Sequence, residues 1–109
     1  MALGGRVKIM VSGGAPLHKD AKNFMKIVMC CPMVEGYGLT ESTAGGFITN
    51  LNDYTDGHAG GPGTNLEFKL QNVPELDYRC SDKDDQGNPS PRGEICLRGP
   101  SIFMDYYKD

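Results

Sequence analysis

The sequence predicts an α/β chain: one βαβ unit from a parallel layer, followed by a β-rich, barrel-like part. Three observations carry this. A β-rich run, Val7-Lys8-Ile9-Met10-Val11, ends in Ser12-Gly13-Gly14. An amphipathic stretch then leads to a second apolar run, Met33-Val34-Glu35. Past a glycine-rich break near residue 60, Leu66, Phe68 and Leu70 alternate with Glu67, Lys69 and Gln71. Period 3.6 marks a helix and period 2 a half-buried strand, and the order strand, helix, strand is that of a parallel crossover.

The first strand feeds a glycine turn. After Pro16, Leu17, Ala21, Phe24, Met25 and Val28 recur at helical spacing, with Lys19, Asp20, Lys22, Asn23 and Lys26 on the other face. A helix over 17–29 is predicted, with its apolar side inward and Asp20 favourably placed in the first turn. Pro32 closes it. Cys30 and Cys31 read as small-residue packing at its end. Asn50 to Thr64 is turn-forming, with Gly60-Gly61-Pro62-Gly63 as the strongest breaker, so 1–59 and 60–109 are expected to form two parts. Residues 81–91 read as a solvated turn with Gln86-Gly87-Asn88 at the tip. Gly93 to Gly99 reads as another strand. Tyr106 and Tyr107 are expected to cover the sheet. The tail stops without a closing element, so the chain reads as a piece of something longer.

Composition narrows the function. The 109 residues carry a net charge of -3, which disfavours a general nucleic-acid or membrane-surface binder, since both need a basic face. No apolar run reaches membrane-spanning length, and the first residues lack a signal-peptide layout. Four cysteines without a Cys-x-x-Cys pair favour neither zinc nor a disulfide framework and fit a reducing, intracellular setting. His18 and His58 read as lone solvated histidines. Asp82, Asp84 and Asp85 lack the order of a calcium loop.

Chemistry concentrates in two loops. Residues 12–16 join a strand to a helix; alone they are an ordinary glycine turn, and they match neither the phosphate P-loop nor the dinucleotide fingerprint. Residues 36–41, Gly-Tyr-Gly-Leu-Thr-Glu, are more telling. Tyr37 offers a flat ring for a base, Thr40 a short donor for phosphate, and Glu41 an oxygen ligand for Mg²⁺. Gly36 and Gly38 leave room for close backbone approach. The plain alternative for Thr40 and Glu41 is a helix cap with an acid in its first turn. Both loops would lie at the carboxyl ends of parallel strands, where open α/β sheets bind ligands, as two walls of one site.

Ser12-Gly13-Gly14-Ala15-Pro16-Leu17, the 36–42 stretch, and Gly93-Glu94-Ile95 with Arg98-Gly99 together resemble the adenylate-forming superfamily. Acyl-CoA synthetases, luciferases and peptide-synthetase adenylation domains make up that group. Cys30-Cys31-Pro32, Asp53-Tyr54-Thr55-Asp56-Gly57 and residues 72–78 resemble its eukaryotic long-chain fatty acid CoA ligases. The resemblance implies a central fragment of an enzyme that joins a fatty acid to ATP, giving acyl-adenylate, and then passes the acyl group to coenzyme A. It implies that Gly14, Ala15 and Pro16 form one wall of an adenine slot and Tyr37 the other. Thr40 would bond the α-phosphate and Glu41 would hold Mg²⁺. Gly45 and Gly46 would lie near the acyl channel. His18 replaces a family serine, implying a weaker helix cap, and Asp105 replaces a glycine. The phosphate loop and catalytic lysine would lie outside residues 1–109, so this fragment alone is expected to be inactive. Fatty acid, nucleotide and the remainder of the enzyme are the implied partners. The whole enzyme is implied to be intracellular, with endoplasmic reticulum, mitochondrial and peroxisomal membranes all open. Another adenylate-forming enzyme with a non-fatty carboxylate, or a non-catalytic remnant, also stays open.

Overall fold

A computed structural model describes residues 4–108. Strand β1 (Met10–Ser12) leads into helix α1 (Lys19–Met29), and β2 (Met33–Tyr37) returns parallel to β1 with Met10 opposite Met33 and Ser12 opposite Glu35. This is the expected βαβ unit. Two short strands, β3 (Phe47–Ile48) and β4 (Gly61–Pro62), then add antiparallel on the far side of β2. The layer is therefore mixed rather than wholly parallel. Two-residue strands carry no readable alternation, and β4 contains the glycine and proline that read as a breaker. The division between the sheets falls between β4 and the next strand.

That strand, β5 (Glu67–Gln71), pairs antiparallel with β6 (Glu94–Arg98). The pair has two open edges, so no closed barrel forms among the described residues. The intervening chain turns twice. Pro74–Leu76 forms a 3₁₀ turn ended by Asp77 in the left-handed region. At the expected tip, Asp84 Oδ1 accepts from the backbone N–H groups of Gln86 and Asn88, and Gly87 takes a φ of 85°.

Helix α1 starts two residues later than predicted. His18 supplies the cap, its Nδ1 accepting from the Asp20 N–H at 3.3 Å. It thus fills the capping place, though with a long bond. Cys30 ends the helix in the left-handed conformation, φ 49°. The expected inward face is only partly realised, since Met25 is half-buried while Lys22 is enclosed in place of Phe24 and Val28. Lys22 is buried at 2% exposure, whereas Phe24, Ile27 and Val28 are 63%, 74% and 57% exposed. The reason is electrostatic: Lys22 Nζ finds Glu35 Oε1 at 2.8 Å and Asp56 Oδ1 at 3.0 Å beneath the helix. A paired charge tolerates enclosure that an unpaired one does not.

Cys31 and Val34 are the buried apolar side chains of the described residues, beside buried Lys22, Ser42 and Thr49. The molecule is a plate of 50 × 48 × 23 Å. Rings join its two sheets: Tyr37 to Phe47 at 6.0 Å, and Phe47 edge-on to Phe68 at 5.1 Å.

Candidate functional site

Strand β2 changes partner at its midpoint. Up to Glu35 it is bonded to β1; from Gly36 it is bonded to β3 on the other side. Beyond Ser12 the chain turns away through residues 13–17, and the edge of β2 there is left open. A cavity of about 500 Å³ fills the gap. Gly14, Ala15 and Pro16 line one side, and Gly36, Tyr37 and Gly38 another. The two loops singled out in the sequence thus meet at one cavity. Tyr37 is half-buried, its ring steadied by Phe47 at an interplanar angle of 57°.

The glycines serve the chain's own backbone. A Cβ on Gly38 would stand 2.3 Å from the Ala44 carbonyl oxygen, so the residues 38–46 can fold back only if position 38 has no side chain. Gly14 differs: nothing lies within 4 Å of a Cβ there, but its φ is 85°. Conformation, not crowding, requires glycine at that turn.

A third wall was not foreseen. Gly57, His58 and Ala59 close the cavity, and Glu35 joins its lining. His58 is not a lone solvated residue. Its Nδ1 accepts from the Gly60 N–H at 3.0 Å, and its Nε2 lies 2.7 Å from Thr55 Oγ1 and 3.3 Å from Asp53 Oδ2. With Nδ1 accepting, the ring proton belongs on Nε2. The Thr55 hydroxyl and N–H both bond Asp53 and hold its carboxyl below the usual range. The spacing Asp53, Thr55, His58 was the available signal, since an acid two residues before a threonine commonly closes a side-chain turn.

Thr40 and Glu41 open a 3₁₀ turn, Thr40–Ser42. The turn is held by Ser42, whose hydroxyl accepts from the Leu39 N–H and donates to the Leu39 carbonyl, both at 3.0 Å. Leu39, not Thr40, stands at the cap position, and it contributes no side-chain cap bond. Thr40 lines a second cavity of about 560 Å³, as do Gly45 and Gly46. The two cavities share Ser12, Gly14, Gly36, Gly38 and Leu39. Glu41 lies outside both linings and is exposed. Its Oε1 accepts from the Tyr106 phenol at 2.5 Å, which lowers the Glu41 pKa and raises that of Tyr106. Tyr106 therefore does not cover a sheet, and Tyr107 is 90% exposed.

A half-enclosed slot thus lies between a glycine loop and an aromatic strand end, with Thr40 on the adjoining cavity. The sequence matches the AMP-binding enzyme family over residues 1–107, and the chain belongs to that family. Within it, the chain is similar to long-chain acyl-CoA synthetases. It is 45% identical to fatty acyl-CoA synthetase A of Dictyostelium discoideum over 98% of its length. It is 48% identical to the peroxisomal long chain acyl-CoA synthetase 7 of Arabidopsis thaliana, again over 98%. It spans about 15% of the length of each. Among solved structures, the A domain of a carboxylic acid reductase from Segniliparus rugosus, in complex with AMP and a co-purified carboxylic acid, superimposes with a TM-score of 0.69 at 32% identity. That match covers 97% of this chain and 15% of that one. The resemblance read from the motifs therefore holds, down to the long-chain subgroup.

Proposed function

We propose that these residues are the central part of a long-chain fatty acid CoA ligase. The observation that carries the reading is the meeting of Gly14, Ala15 and Pro16 with Tyr37 at one cavity, in a chain whose relatives are acyl-CoA synthetases. In this reading the adenine ring lies between the loop and the phenol. Thr40, whose hydroxyl is not used to cap its turn, bonds the α-phosphate. The fatty carboxylate oxygen attacks the α-phosphorus, the bond to pyrophosphate breaks, and the thiol of coenzyme A later displaces AMP. The first step joins two anions, so positioning and charge offset are the main catalytic needs.

Glu41 suits Mg²⁺. Its carboxylate is exposed, ionised and steadied through one oxygen by Tyr106. Among the described residues no three His, Cys, Asp or Glu gather as a metal site. One carboxylate plus phosphate oxygens is how Mg²⁺ is commonly held. Bound there, the ion would offset phosphate charge. Gly45 and Gly46, on the second cavity, would border the acyl chain. Residues 1–59 would belong to the nucleotide-binding part of the whole enzyme and 60–109 to a β-rich part, with β4 reaching back across that division. The enzyme would be intracellular. No helix among the described residues is long and apolar enough to cross a membrane.

The test is the full-length protein supplied with palmitate, ATP, Mg²⁺ and coenzyme A. Palmitoyl thioester, AMP and pyrophosphate are the expected products. Activation of aryl or amino acids in place of fatty acids would move the reading to another adenylate-forming enzyme. Absence of carboxylate-dependent pyrophosphate exchange would refute it.

A further inference from the structure

Lys22 sits on the helix behind the site, 2% exposed, while Phe24, Ile27 and Val28 of the same helix face outward. An ammonium has three protons, and three acceptors surround this one: Glu35 Oε1 at 2.8 Å, Asp56 Oδ1 at 3.0 Å and the Thr55 carbonyl at 3.5 Å. Each acceptor belongs to a wall of the nucleotide cavity or adjoins one. Glu35 lines the cavity and immediately precedes Gly36 and Tyr37. Its backbone is fixed from the other side by Thr49, which bonds both its N–H and its carbonyl at 2.9 Å. Asp56 immediately precedes the wall formed by Gly57, His58 and Ala59. That wall is stiffened internally by the bonds among Asp53, Thr55, His58 and Gly60. Its far end is held by β4, which pairs with β3, and the lysine ties its near end directly to β2.

We propose that Lys22 is a positioning residue for the nucleotide cavity: its buried ammonium straps the wall of residues 57–59 to the strand end that carries Tyr37. The proposal rests on the nucleotide reading above and adds to it a residue that touches no ligand. Without the ammonium, Glu35 and Asp56 would face each other as uncompensated anions, and the near end of the 57–59 wall would lose its tie to the strand. A site whose wall is loose spends binding energy on ordering it.

The full-length protein with Lys22→Met, a substitution of similar length, tests this. ATP dissociation constant is expected to rise on the order of tenfold, with kcat at saturating ATP changed less than about threefold. Amide exchange of residues 57–60 in the ligand-free protein is expected to accelerate. Lys22→Arg should recover much of the affinity. Asp56→Asn cuts only the loop leg, so it decides the matter if Lys22→Met does not fold; it should move the same two readouts in the same direction. Unchanged ATP affinity and unchanged exchange at 57–60 in Asp56→Asn, or in Lys22→Met, would overturn the proposal alone. A wild type that binds no ATP would overturn the nucleotide reading and the proposal with it.

Discussion

The Tyr106 phenol donates to Glu41 Oε1 at 2.5 Å across 65 positions of the chain. The tail is further tied to the same turn, where the Phe103 N–H donates to the Glu41 carbonyl at 3.1 Å and Thr43 Oγ1 to the Ser101 carbonyl at 3.1 Å. Phe103 packs edge-on against Tyr106 at 4.9 Å. The proposed Mg²⁺ ligand is thereby oriented by a segment remote in sequence.

Tyr106→Phe is expected to return the Glu41 pKa toward its ordinary value of 4.5. In the native protein this carboxyl is shifted down, so its contribution is present above that ordinary value and fades as pH falls through the lowered pKa. The phenol is shifted up from 10.0, so its contribution is present below 10.0 and fades as pH rises through the raised pKa. The contribution is therefore complete between pH 4.5 and 10.0 and fades only beyond them, through the lowered carboxyl pKa on the acid side and the raised phenol pKa on the alkaline side. Carboxyl-carbon NMR titration of Glu41 checks this, and an unmoved midpoint in Tyr106→Phe counts against it. The same variant should need about tenfold more Mg²⁺ for half-maximal activity, as when a partner that orients a metal ligand is removed.

Tyr37→Ala should weaken ATP binding by roughly 1–3 kcal/mol, by analogy with bases stacked on aromatic side chains. Calorimetric titration of the full-length protein measures it. An unchanged dissociation constant would remove the stacking role.

Two glycines should respond differently to alanine. At Gly38 the new methyl would meet the Ala44 backbone oxygen at 2.3 Å, so the 38–46 segment must shift, at a cost of about 3 kcal/mol or more. At Gly14 the cost is conformational only, about 1–2 kcal/mol. Denaturant midpoints of the two full-length variants give the order; a Gly14→Ala variant less stable than Gly38→Ala would contradict it.

Residues 4–108 alone are expected not to hold this structure. The surface is 8622 Å², against roughly 5,900 Å² for a compact protein of 11.8 kDa. The radius of gyration is 16.9 Å, against about 13 Å. Cys31 and Val34 provide too little apolar burial to offset chain entropy. A dispersed proton–nitrogen spectrum and a cooperative melt from the isolated piece would prove this wrong.

Much of the fold was legible because local signals agreed. The run ending at Ser12, the 3.6-residue period after Pro16 and the apolar residues before Gly36 each marked an element that exists. The alternation from Leu66 to Leu70 marked β5. Strands β3 and β4 were hidden because two residues have no period and Gly61-Pro62 looks like a breaker. The burial of Lys22 on α1 was not legible because periodicity weighs hydrophobicity without partners. Lys22 goes in since Glu35 and Asp56, distant in sequence, await it. The loop walls were readable from glycine, ring and hydroxyl types. The 57–59 wall and the Tyr106 contact were not, because both depend on long-range closure.

Gly36 and Gly38 lie on the linings of both cavities, together with Ser12, Gly14 and Leu39. Neighbouring recesses built on the same residues cannot be altered independently. A methyl at Gly36 or Gly38 would press on the carbonyl oxygen of Phe47 or Ala44, so it would reshape the backbone behind both recesses at once.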